Sequence, residues 1–83
     1  MQVEDMSIPG LKLLRPAVHG DARGFLSEVY SARALHAAGI NTAFVQDNHS
    51  LSVARGTLRG LHFQRPPYAQ AKLVRVPRGR IFD

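Results

Sequence analysis

Leu58-Arg59-Gly60-Leu61-His62-Phe63-Gln64 interleaves apolar side chains with a guanidinium, an imidazole and an amide, and its Leu and Phe content reads as a β-strand. Polar groups inside a strand must be solvated, paired or used. Arg65-Pro66-Pro67-Tyr68 ends the strand, because proline donates no ladder hydrogen bond. Beyond it, Lys72 to Val76 reads as a further strand, Arg78-Gly79 as a turn, and Ile81-Phe82-Asp83 as the opening of one more. A strand cut at its third residue leaves an unpaired edge, so the chain is expected to be the front portion of a longer protein. Within 58–64 the period of two sets Arg59 and His62 on opposite faces. A bulge or local twist at Gly60, which would restore a shared face, is therefore expected.

The segments before this strand extend the β pattern. Leu11 to Leu14 reads as the first strand, His19-Gly20-Asp21-Ala22-Arg23-Gly24 as a turn, and Phe25 to Tyr30 as the next strand. Ser31 is placed to cap a two-turn helix that Gly39 stops. Thr42 to Gln46 reads as a strand and Asp47-Asn48-His49-Ser50 as a polar turn. These elements make a mainly β chain with one short α-helix, read as a single domain over residues 1–83 with no repeat or internal linker.

Composition bounds the functional classes. The 83 residues are 45% hydrophobic and 20% charged, which is too apolar for disorder, and no apolar run is long enough to cross a membrane as a helix. The first residues, Met1-Gln2-Val3-Glu4-Asp5, lack the basic and apolar regions of a secretory signal, so a cytoplasmic location is expected. Cysteine is absent, which removes thiolate nucleophiles and disulfide staples. A net charge of +5 favours anionic partners. No recognition helix or aromatic platform accompanies the basic residues, so nucleic acid is not the expected partner.

Three stretches carry candidate chemistry: Gly20-Asp21-Ala22-Arg23-Gly24-Phe25 with Glu28, Phe44-Val45-Gln46-Asp47-Asn48-His49-Ser50, and the strand 58–64. Taken singly, each residue has an ordinary reading: His62 a structural histidine, Lys72 a surface lysine lying along apolar surface, Phe25 a core aromatic. Asp47 and His49 are accounted for by turn stabilisation. Together with Ala71-Lys72-Leu73-Val74-Arg75, the motifs resemble those of the dTDP-4-dehydrorhamnose 3,5-epimerase family, in the family's order and spacing. The resemblance runs from about Ile8 to Asp83 and covers the front part of the family's sequence.

The resemblance implies a partial cupin jelly roll that epimerises C3 and C5 of a dTDP-4-keto-6-deoxyhexose in dTDP-L-rhamnose biosynthesis, without cofactor, as a homodimer when full length. It assigns His62 as the base and Lys72 as the cation beside the enolate. By the same resemblance, Arg23, Phe25, Glu28, Gln46, Asn48 and Arg59 match the family's positions that hold nucleotide and sugar, with Arg23, Phe25 and Glu28 expected to reach into a neighbouring subunit. The chemistry suits these residue types. A C4 ketone acidifies the flanking protons, an imidazole with an ordinary pKa of about 6.5 exchanges protons at neutral pH, and a guanidinium grips diphosphate through parallel charge-assisted bonds.

Metal-binding cupins carry Gly-x5-His-x-His-x3,4-Glu-x6-Gly. Here Gly56 and His62 keep the first spacing, but Gln64 stands at the second histidine, and Lys72, after a loop longer than the motif's and followed at the motif's distance by Gly79, takes the glutamate's place. An ammonium repels a cation, so no metal is expected. The family's acid tyrosine and base-orienting aspartate belong beyond residue 83. Tyr30 and Tyr68 do not match the tyrosine's motif, and Asp83 is a minor candidate to approach His62. Two other readings stay open from sequence, a related epimerase acting on one carbon and a cupin module that only binds a nucleotide sugar.

Overall fold

The computed structural model describes residues 1–83, which divide into two compact units, Met1–Ala43 and Phe44–Asp83. Regular structure is confined to the first and is mainly strand: β1 (Gln2–Asp5), β2 (Lys12–Arg15), β3 (His19–Asp21), β4 (Gly24–Leu26) and the helix α1 (Ala32–Ala37). No helix is long and apolar enough to cross a membrane.

β1 and β2 pair antiparallel, with Val3 opposite Leu14 and Asp5 opposite Lys12. Their connection turns at Ile8-Pro9-Gly10-Leu11, where Leu11 N–H donates to the Ile8 carbonyl at 3.0 Å and Gly10 takes φ +84°. Proline at the second position and a glycine with positive φ at the third make this a type II turn. Cross-strand ion pairs close the ribbon, Lys12 to Asp5 and Arg15 to Glu4, the latter at 3.1 Å. Both are exposed, so each contributes at most about 1 kcal/mol.

β3 and β4 form a second ribbon with Asp21 opposite Gly24 across the two-residue loop Ala22-Arg23. Ser27 extends it by donating from Oγ to the Ala17 carbonyl at 2.7 Å. Sequence assigned 19–24 entirely to a turn; its first three residues are strand, and only Ala22 and Arg23 turn. The two ribbons make no contact with each other, so no sandwich is packed between them.

α1 forms where its capping residues dictate. Ser31 Oγ accepts from Ala34 N–H at 3.3 Å. At the other end Ile40 N–H donates to the Leu35 carbonyl and Gly39 N–H to the His36 carbonyl, with Gly39 at φ +80°, the paired bonds of a Schellman motif. Leu35, on this helix, is the only buried residue of the chain, 2% exposed.

Several expected strands do not form. Phe25 to Tyr30 is strand only to Leu26, and Thr42 to Gln46, Leu58 to Gln64, Lys72 to Val76 and the start at Ile81 carry no ladder at all. The physical reason is common to them: β-type side chains do not make a strand without a neighbour to take the backbone hydrogen bonds, and no segment of the 83 residues pairs with these. Conversely, β1 was not anticipated from the polar-looking Gln2-Val3-Glu4-Asp5.

Candidate functional site

In the first unit, the candidates gather at the β3–β4 ribbon. Arg23 occupies its loop because Asp21 folds that loop from within: the Asp21 carboxylate accepts from the Arg23 backbone N–H at 2.8 Å, an Asx-type closure. The same carboxylate takes the Arg23 side chain, with Nε to Oδ2 at 3.2 Å and Nη2 also donating to Oδ2. The Arg23 side chain and backbone hydrogen bonds hold the Asp21 carboxyl below its usual range, and the carboxylate in turn raises the Arg23 guanidinium. Phe25, on β4 opposite Gly20, is 76% exposed, and Glu28 follows the strand, also exposed. A residue that open is not a core aromatic.

In the second unit the candidates sit on chain without regular secondary structure. Gln46 Nε2 donates to Asn48 Oδ1 at 3.2 Å, joining the two amides expected to meet the ligand. Arg59 reaches back over a turn at 54–57, where Thr57 Oγ1 donates to the Ala54 carbonyl at 2.7 Å. Its Nε donates to Ser52 Oγ at 2.9 Å and its Nη2 to the Leu51 carbonyl at 2.8 Å. Ser52 and Leu51 thus orient Arg59; sequence reasoning passed over both, since neither belongs to a recognisable chemical pattern.

His62 and Lys72 are exposed and engage in no hydrogen bond or ion pair with each other or with Asp83. Gly60 takes φ +118°, so the alternation between Arg59 and His62 is broken there; no ladder surrounds it, and the feature is a local twist of the chain rather than a bulge. The imidazole lies close to that glycine, with Nδ1 3.8 Å from where a Cβ at Gly60 would stand. The structure therefore holds Arg23, Arg59 and the Gln46–Asn48 pair each by its own local hydrogen bonds, and leaves the imidazole and ammonium exposed.

A β-rich chain with two oriented guanidiniums and an unpartnered imidazole and ammonium has the groups needed for proton transfer beside an anionic ligand. Known proteins give that class its name. Residues 5–83 match the family model described as dTDP-4-dehydrorhamnose 3,5-epimerase. Relatives bearing that same name are 48% identical in Sinorhizobium fredii and 51% identical in Pseudomonas aeruginosa, each alignment covering all of this chain. A third, from Methanothermobacter thermautotrophicus, is 49% identical over 93% of the chain. The chain belongs to the dTDP-4-dehydrorhamnose 3,5-epimerase family. It spans 43%, 45% and 40% of the length of these three relatives. No solved structure matches it significantly.

Proposed function

We propose that residues 1–83 contribute to a single cupin domain of a cytoplasmic, homodimeric dTDP-4-dehydrorhamnose 3,5-epimerase, and that turnover belongs to the protein at its relatives' full length. The observation that carries this reading is the family match over residues 5–83, a range that spans every candidate from Arg23 to Lys72. The substrate is a dTDP-linked 4-keto-6-deoxyhexose, and no metal or cofactor takes part.

In this mechanism His62 removes the proton at C3 or C5. The C–H bond breaks, the proton passes to the imidazole, and the electron pair moves toward the C4 carbonyl oxygen to form an enolate. Lys72 stabilises the developing negative charge. An acid outside these 83 residues then protonates the opposite face of the carbon, inverting it, while His62 returns its proton to solvent. Arg23 and Arg59 grip the diphosphate, Phe25 offers a ring face to the base, and Glu28, Gln46 and Asn48 fix nucleotide and sugar through polar contacts.

The test uses residues 1–83 joined to the portion of the Pseudomonas aeruginosa relative that lies beyond the match, with product formation followed by proton NMR. His62→Ala should lower kcat by roughly 10²–10⁴-fold, the usual contribution of a general base. Lys72→Ala should lower it by about 10²–10³-fold, as for removal of one oxyanion donor. Turnover within twofold of the parent in either variant removes that residue from the mechanism.

A further inference from the structure

We propose that Asp21 is a positioning residue, holding the Arg23 guanidinium by one edge so that its opposite edge faces an anionic diphosphate. This rests on the reading of Arg23 as a diphosphate contact. The geometry is specific about the edge. Asp21 takes Nε and Nη2, the side-on face of the guanidinium, which leaves both Nη1 hydrogens and the outer Nη2 hydrogen for a second planar, bidentate partner. The end-on edge is therefore the one available to phosphate oxygens.

Holding the arginine this way matters because its side chain is otherwise unrestrained: it is 90% exposed, on a two-residue loop. A free arginine loses much of its rotamer entropy when it binds, and a carboxylate that orders it beforehand reduces that loss. The backbone bond from Arg23 N–H to the same carboxylate fixes the base of the side chain while the side-chain bonds fix its tip. The second guanidinium shows the same arrangement independently, since Arg59 is also held by Nε and Nη2, to Ser52 Oγ and the Leu51 carbonyl. Two arginines on different segments thus turn the same edge outward.

The experiment separates positioning from mere loop integrity. Asp21→Asn keeps an oxygen to accept the Arg23 backbone N–H but loses the charge that holds the guanidinium, whereas Asp21→Ala loses both. In the joined, full-length protein described above, Asp21→Asn should raise KM for the dTDP-sugar about tenfold while changing kcat less than about twofold, the pattern of lost uniform binding. Arg23→Ala should raise KM by at least as much, and the double variant Asp21→Asn/Arg23→Ala should be no worse than Arg23→Ala alone. If Arg23→Ala raises KM but Asp21→Asn does not, or if the two effects multiply, the positioning role is wrong and the diphosphate reading stands. If Arg23→Ala leaves KM unchanged, Arg23 does not contact the diphosphate and the proposal falls with that reading. An Asp21→Ala variant that lowers kcat as much as it raises KM, with Asp21→Asn behaving likewise, marks a structural role and also overturns it.

Discussion

Asp21 and Arg23 form a self-contained electrostatic unit on the surface of the β3–β4 ribbon, and the sign of its pH dependence follows from the carboxylate. Arg23 keeps Asp21 ionised below its usual range, so the bound form of the loop is favoured fully above the ordinary aspartate pKa of about 3.9 and is lost as pH falls through the lower folded value. The guanidinium, pushed upward, stays charged throughout and adds no alkaline limb in the working range. NMR titration of the Asp21 carboxyl carbon should show a midpoint below that of aspartate in an unstructured peptide; an equal or higher midpoint contradicts the pairing. The sequence marked Asp21 as a turn former and Arg23 as a ligand contact, and both residues do stand at the ribbon's loop. Their pairing with each other was not read, although a carboxylate two residues before a guanidinium is a visible signal. His62 and Lys72 were legible as chemistry, but not as geometry, because what would bring an imidazole and an ammonium together is packing rather than spacing along the chain.

Among the elements, α1 was the most legible, because its determinants are local: a serine cap, a run of alanines and leucine, and a stopping glycine within nine residues. Ser31→Ala removes the acceptor for Ala34 N–H and should cost the helix about 1 kcal/mol, whereas Ser31→Asp, which keeps an acceptor and adds charge at the helix start, should not. Circular dichroism at 222 nm on the two variants checks this, and equal helicity would show that Ser31 does not cap. The β1–β2 ribbon is also locally specified through Pro9-Gly10, a type II turn signal between two short β segments that passed unread because Gln2-Val3-Glu4-Asp5 is half charged. The segments at 42–46, 58–64 and 72–76 mark the opposite limit. Their composition is that of strands, yet pairing is a property of two segments at once, and none of these finds its partner among the 83 residues.

Across the whole chain, large apolar side chains lie open to solvent and Leu35 alone is buried. Val45, Leu58, Leu61 and Phe82 are each more than 90% exposed, and an apolar side chain gains about 1.5–3 kcal/mol on full burial. The candidate residues of each unit are likewise exposed; the mainly β character was legible from sequence, whereas a closed cupin barrel, which needs strands paired across the chain, is not formed by the paired strands here. Completion by the length that its relatives possess is what the functional account requires, and the base then acts within that completed protein. The most direct measurement follows solvent deuterium into C3 and C5 of the dTDP-4-keto-6-deoxyhexose by NMR, for residues 1–83 joined to the remainder of a relative and for the same protein carrying His62→Ala. The account predicts deuterium at both carbons with the parent and wash-in slowed at least about 100-fold at both with the variant. Wash-in by the His62→Ala protein at the parent's rate would contradict it.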